Sequence, residues 1–397
     1  MFKKLGPGVL IAAAFIGPGT VTACTLAGVG FGYDLLWAMG LSIVATMVLQ
    51  EMSARLGLVS GKGLAEVIRA EVRHPAAKVL AITVILSAIV VGNAAYEAGN
   101  IGGATLGMQA VFGDGGAGYY HYIIGAVAFL LLYLGNYKML EKIFITLVVL
   151  MSLSFILTAV LTKPNILAIL KGLLIPKMPS ESILGVMALV GTTIVPYNLF
   201  LHASLVNERW NSPKDLKWAQ RDTYTAVLLG GVVSLCIIIS AAAIEGDSVS
   251  NVMDLAMGLE PLYGQSAVLL MGIGLFAAGV TSAITAPMAA AYVAKSCFGW
   301  QDDLKSFRFR LVWMVVLFIG VFGLSFDVRP IEVITFAQVA NGILLPFIAI
   351  FLFWVVNRTE VLGTLVNGFF KNSLGLVIIA LAVVLGLKSI IIVVGGW

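Results

Sequence analysis

The chain has 397 residues, of which 60% are hydrophobic and only 11% charged, with a mean hydropathy of +1.03 and a formal net charge of +4. That composition excludes a soluble domain of this size and points to an integral helical membrane protein. Cys24, Cys236 and Cys297 have no close pairing, and only three histidines occur, which argues against a disulfide framework, a zinc motif or a His-rich cluster.

Eleven apolar spans follow in chain order, at roughly 6–31, 34–58, 78–112, 119–136, 140–163, 182–207, 221–245, 263–297, 306–326, 331–356 and 371–394. Lys3-Lys4 before the first run imitates a signal peptide, but the run reaches Phe31 and further spans follow, so it reads as an uncleaved span. The connection from Lys163 to Glu181 holds two apolar clusters and reads as a short amphipathic surface helix. With the N-terminus in the cytoplasm, only Lys163, Lys171, Lys177, Arg329 and Lys388 fall outside, leaving 19 of 24 Lys and Arg inside. The positive-inside rule therefore predicts a cytoplasmic N-terminus and an extracytoplasmic C-terminus in a multi-pass protein of the cell (inner) membrane. That bias accounts for the net charge without a nucleic-acid partner.

Two spans are broken in their middle. Gly17-Pro18-Gly19-Thr20 interrupts the first and Val195-Pro196-Tyr197-Asn198 the sixth. Proline removes a backbone donor and clashes with the preceding turn, and glycine lets the chain leave helical geometry. Five spans separate the breaks, so the sixth crosses in the opposite direction to the first. The expected architecture is all-α, a LeuT-type fold with an inverted repeat of spans 1–5 and 6–10, and substrate held near the midplane between half-helix ends. The expected units are 1–163 (first repeat), 164–181 (extracellular connection), 182–356 (second repeat) and 357–397 (appended eleventh span).

Several motifs resemble the Nramp family of proton-coupled metal transporters: Gly6-Pro7-Gly8, Gly17-Pro18-Gly19, Ala54-Arg55-Leu56-Gly57 through Gly61-Lys62-Gly63-Leu64-Ala65-Glu66, Pro196-Tyr197-Asn198-Leu199-Phe200-Leu201-His202, Gly274-Leu275-Phe276-Ala277-Ala278-Gly279, and Gln338-Val339 with Leu345-Pro346-Phe347. The resemblance implies Asp-Pro-Gly-Asn at the first break and Met-Pro-His-Asn at the sixth. Here Gly17 and Thr20 stand for the aspartate and asparagine, and Val195 and Tyr197 for the methionine and histidine. Transition metals favour carboxylate, imidazole or sulfur ligands, and magnesium usually keeps a carboxylate. A lining of neutral hydroxyls, amides and backbone carbonyls, with no countercharge for a dication, therefore predicts a neutral polar solute, and the resemblance to divergent relatives implies proton-coupled uptake of a monosaccharide such as glucose. The alternative is the family's usual work, transport of Mn2+, Fe2+ or Mg2+. A channel or receptor is a third class; an enzyme is not expected, since no spacing suggests a nucleophile–base pair.

One acid stands apart from loops and interfaces. Glu97 lies deep in the third span, with Asn93 and Asn100 on the same helical face. An intramembrane acid is a functional candidate. It either takes the coupling proton or touches substrate; the plainer alternative is a structural acid bonded to a neighbouring helix. His202 is either a proton relay or a satisfied interhelical histidine. Gln338 and Asn341 line a cavity or make an interhelical amide bond. Thr192-Thr193 line the site or satisfy backbone freed by Pro196. The pairs Gly102-Gly103 and Gly230-Gly231, with Gly272 and Gly274, read as close-packing positions. The expected substrate-binding set is Gly17, Gly19, Thr20, Asn93, Glu97, Thr193, Tyr197, Asn198, Gln338 and Asn341. Glu97 and His202 are the expected proton-coupling pair, with no metal ligand, no cofactor and H+ as coupling ion. The expected partners are a small neutral sugar, protons and the bilayer around a monomer.

Overall fold

The computed structural model describes residues 16–135, 138–179, 181–210, 212–244, 249, 251–300, 304–326 and 328–394. Gly6-Pro7-Gly8 and the half of the first span before the break lie outside the described residues.

The described chain is helical throughout. In order come α1 (Pro18–Phe31), α2 (Leu36–Ser60), α3 (Leu64–Glu71), α4 (Pro75–Phe112), α5 (Ala117–Leu134), α6 (Lys138–Leu161), α7 (Ile166–Leu174), α8 (Ser182–Thr193), α9 (Pro196–Arg209) and α10 (Leu216–Ala241). After short helical turns around Val252–Ala256 follow α11 (Ala267–Phe298), α12 (Phe307–Gly323), α13 (Pro330–Val356) and α14 (Phe369–Val394). Helix is the only open-chain solution here, because hydrocarbon offers no partner for a free backbone amide. Among the described residues ten helical stretches are long and apolar enough to cross a membrane, counting 182–207 as one; α1 adds the described part of the first span.

Burial sorts these helices into an inner and an outer set. In the most apolar window of the stretch 182–207, 83% of residues are buried inside the protein, against 33% for the stretches containing α5 and α12 and 39% for α14. The broken sixth span is therefore the centre of the molecule. The outer helices turn Ile123, Leu130 and Leu134 of α5 and Phe318 and Phe322 of α12 outward as lipid-facing surface.

The helices α1 and α9 begin in the same way. Pro18 and Pro196 each occupy the first helical position, where a missing N–H costs nothing and the ring presets φ. The residues before them, Gly17 and Val195, are extended, at φ −92°, ψ 178° and φ −73°, ψ 120°. The restarted helices are seated by close backbone approach. A Cβ on Gly103 of α4 would overlap the Pro18 ring, and a Cβ on Gly57 of α2 would overlap the Ala203 carbonyl of α9. The small residues read as packing positions behave alike: Gly231 meets Ile43, Gly272 meets Ala110 and Gly274 meets Met151.

The expected surface helix is present as α7. Asn165 caps it, its Oδ1 accepting from Ala168 N at 3.1 Å. It lies across the α1–α2 turn, with Gly172 on the Tyr33 carbonyl and Leu173 on Gly40. The segment beyond is tied down by Lys177 Nζ to Asp34 Oδ1 at 2.7 Å and by Trp37 Nε1 donating to the Lys177 carbonyl at 2.8 Å.

Candidate substrate site at the two helix breaks

The breaks meet. Thr20, in the first turn of α1, and Thr192, in the last turn of α8, share a hydroxyl–hydroxyl hydrogen bond of 2.8 Å. Pro196 has no N–H, so the Thr192 carbonyl loses its regular helical donor and is free to face a ligand. α13 closes the third side. Its Gln338 amide rests on Gly19, where a Cβ would overlap Nε2 and Cδ, and its Gln338 backbone carbonyl presses on Gly191 of α8. Glycine is required at 191, where a side chain would push the α13 backbone off the breaks; at Gly19 a side chain would displace the Gln338 amide instead.

The lining is polar, closed and under-satisfied. Thr20, Thr192, Tyr197, Asn198 and Gln338 are each at most 2% exposed. Asn198 Oδ1 and Nδ2 and Gln338 Oε1 have no hydrogen-bond partner. Buried amides left open in this way cost about 1–3 kcal/mol each, so a cluster of them beside two broken helices marks a place built to hold something. The donor set is oxygen and amide. Residues 1–33 contain no Asp or Glu, and neither do 182–207. Among the described residues no group of three His, Cys, Asp or Glu could hold a metal ion by itself.

The other expected site residues are distributed as follows. Tyr197 turns its ring edge-on to Tyr96 of α4, centroids 5.6 Å apart. Asn341, one turn beyond Gln338, lies beside Gly92 of α4, with Nδ2 unpartnered. Thr193 points away from the breaks; its Oγ1 donates to the Leu189 carbonyl at 2.7 Å, against Met39 Sδ at 3.5 Å. Its neighbour Thr192 is the one that joins Thr20. Asn93 donates Nδ2 to the Ala286 carbonyl of α11 at 2.9 Å. Glu97 is fully buried; Asn100 Nδ2 donates to its Oε2 at 3.3 Å and its Oε1 has no partner. Gly320 of α12 packs directly on the Glu97 stem. The face of α4 bearing Asn93, Glu97 and Asn100 therefore looks toward α11 and α12, whereas Tyr96 and Gly103 look toward the breaks. Asn93 and Glu97 make their hydrogen bonds away from the break cluster, although the Glu97 carboxyl lies within electrostatic reach of Tyr197. His202 of α9 faces α2, with Nδ1 2.7 Å from Gln50 Oε1 and Nε2 open. Gln50 was missed by sequence reasoning, and Thr192 was named as a candidate lining residue but left out of the expected binding set. Thr192 carried a signal, since the pair Thr192-Thr193 precedes a proline; Gln50 carried none without the packing of α2 on α9.

The family model described as Nramp, natural resistance-associated macrophage protein-like, matches residues 8–392. The chain belongs to the Nramp family. Curated relatives align along nearly their whole length. A divalent metal cation transporter MntH of Erwinia tasmaniensis is 28% identical, covering 97% of this chain and 93% of the relative. One of Yersinia pestis is 29% identical, covering 98% and 94%. Among solved structures, the chain is similar to the Eremococcus coleocola manganese transporter (TM-score 0.79, 20% identity, 97% of this chain and 85% of that one). It is also similar to Mhp1, a nucleobase-cation-symport-1 family transporter in a closed conformation (TM-score 0.62, 14% identity, 97% and 92%). The fold is the LeuT type, with the first and sixth spans broken. The chain is a multi-pass membrane transporter and not an enzyme.

These relatives correct the substrate expectation. The sequence reading took the missing carboxylate and thioether at the breaks as grounds for a neutral sugar and named a sugar as partner. Relatives matched from end to end are instead named for divalent metal cations. The reading counted backbone carbonyls among the neutral oxygens at the breaks, but took a dication without a countercharge to be too costly to hold there. The Thr192 carbonyl that Pro196 releases is an oxygen ligand in its own right.

Proposed function

We propose that this protein carries a hard divalent cation, Mg2+ or Mn2+, across the cell (inner) membrane, bound at the two helix breaks by neutral oxygens. The observation that supports this reading is the two unpartnered, buried amide oxygens, Asn198 Oδ1 and Gln338 Oε1, at the breaks of a chain whose full-length relatives are named divalent metal cation transporters. Asn198 Oδ1, Gln338 Oε1, the Thr20 and Thr192 hydroxyls and the Thr192 carbonyl offer oxygen and no sulfur. That donor set suits ions that accept carbonyl and water ligands, rather than soft metals. Without a carboxylate at the breaks the cation keeps part of its water shell. The negative end of the α8 dipole, at Thr193, supplies partial countercharge.

The coupling proton is assigned to Glu97, whose carboxyl is bonded by Asn100 of its own helix rather than by a residue of the breaks. Residues 1–163 and 182–356 act as the two inverted halves, joined by 164–181, with the eleventh span appended and the N-terminus cytoplasmic. The test is flux into liposomes containing the purified protein and a trapped metal-sensitive dye. Saturable Mg2+ or Mn2+ entry, reduced roughly tenfold or more by Asn198→Ala or Gln338→Ala, is expected, since a lost ligand to a charge costs about 1.5–3 kcal/mol. Entry of labelled glucose with no flux of either cation would overturn it.

A further inference from the structure

A second polar site lies away from the breaks, where α4 enters the membrane and α11 leaves it. A cavity of about 570 Å³ is lined there by Lys62, Glu66, Arg69, Lys78, Cys297 and Phe298, among others. Three cations face one carboxylate. The cavity is set by the turn after α2, by α3, by α4 and by the end of α11. Lys62 follows the left-handed glycine Gly61 that ends α2 (φ 68°). Arg69 comes from the last turn of α3, and its guanidinium lies over Gly299, the left-handed glycine that ends α11 (φ 69°). Lys78 comes from the first turn of α4.

The surroundings of this basic cavity are apolar. Val79 and Leu80, directly after Lys78, are 66% and 65% exposed, as expected of the lipid-facing start of a span. Phe298 is exposed beside the cavity, and its ring stacks on Trp300 with centroids 5.0 Å apart. Aromatic pairs of this kind sit at the headgroup level of a bilayer. Basic charge inside, with acyl-chain surface and an aromatic belt at the rim, is the chemistry of a phosphate headgroup whose tails lie along the protein. The charge bias along the chain puts this end of the spans on the cytoplasmic side, where anionic lipids concentrate.

We propose that the cavity between α3, α4 and the end of α11 binds the phosphate of an anionic phospholipid, with Lys62, Arg69 and Lys78 as its cationic contacts. The site is independent of the cargo at the breaks. Phosphatidylglycerol is titrated into the purified full-length protein in a neutral detergent, and bound lipid is read by native mass spectrometry. The wild type is expected to retain phosphatidylglycerol over phosphatidylcholine. Lys62→Gln with Lys78→Gln should weaken that binding about 30-fold, from about 1 kcal/mol per cation removed. The pair Lys214→Gln with Lys217→Gln, basic residues at and just before the start of α10 that do not line the cavity, should leave it within about twofold, because they make no contact with the headgroup. Lys62→Arg with Lys78→Arg keeps the charge and should retain binding, which separates lost charge from lost fold. Equal retention of phosphatidylcholine, or equal weakening by the α10 pair, would overturn the proposal. Complete displacement of the lipid by millimolar inorganic phosphate would make the cavity a free-anion site and overturn the lipid assignment.

Discussion

Removing one member of the Glu51–Arg55 pair should cost far more than its share of the pair. Glu51 and Arg55 stand one turn apart on α2, with side chains only 2% and 3% exposed. Arg55 Nε and Nη2 reach the two Glu51 oxygens at 3.1 and 3.3 Å. Gln220 of α10 and Lys371 of α14 both donate to Glu51 Oε1, at 2.8 and 3.0 Å. Arg55 also donates to the Leu365 carbonyl and to Asn367 Oδ1 before α14. The network thus clamps α2, α10 and α14 together. Breaking a buried pair by deleting one partner costs about 3–5 kcal/mol. Arg55→Leu should fall at the lower end, about 3 kcal/mol, because Oε1 keeps two donors and only Oε2 is stranded. Glu51→Leu should cost a similar amount, since Arg55 keeps two neutral acceptors. The double variant strands no charge and should cost about 4 kcal/mol, leaving a coupling of about 2 kcal/mol. Unfolding in mixed detergent micelles, run as a double-mutant cycle, measures it. Costs that simply add, within about 0.5 kcal/mol, would refute the clamp.

Gly191→Ala should destabilise the protein by about 1–3 kcal/mol in the same unfolding measurement and lower cation uptake, because its Cβ would strike the Gln338 backbone, which no rotamer can relieve. Thr20→Val should cost about 1–3 kcal/mol by stranding the Thr192 hydroxyl, and adding Thr192→Val should cost less than the sum of the two single changes. Glu97→Gln keeps the shape beside Gly320 and should fold normally, yet cation uptake in liposomes should stop responding to an imposed proton gradient; a preserved response would move the proton elsewhere. Cys24, fully buried in α1, should resist an aqueous maleimide in the folded protein and react once the protein is denatured, as mass spectrometry of the labelled chain would show.

The fold was legible because its signals are strong and local. A proline flanked by residues that leave helical geometry, placed mid-span twice and five spans apart, leaves few architectures open, and Pro18 and Pro196 indeed restart two helices that touch through Thr20 and Thr192. The amphipathic run after Lys163 became α7 for an equally local reason, an Asn165 cap before an apolar face. The site was only partly legible. Helical periodicity grouped Asn93, Glu97 and Asn100 correctly on one face, and Asn100 does bond Glu97. Periodicity alone does not say which neighbour that face meets, and the face meets α11 and α12 rather than the breaks. Thr193 and Thr192 are adjacent and chemically identical, so choosing between them needs the helix phase at the Pro196 break. The substrate expectation failed for a related reason. Side-chain identities at the breaks and the carbonyl released by Pro196 are visible in the chain, whereas the water that a hard cation keeps in a neutral site is not.

The most direct measurement is the crystal structure of the protein soaked in Mn2+, with data collected at a wavelength where manganese scatters anomalously. The account predicts a peak bounded by Thr20, Thr192, Asn198 and Gln338, within ligand distance of the Asn198 and Gln338 amide oxygens or of waters bound to them. Protein that passes Mn2+ in liposomes yet shows its only peak elsewhere, at Glu97 for example, would contradict the assignment of the cation to the two helix breaks.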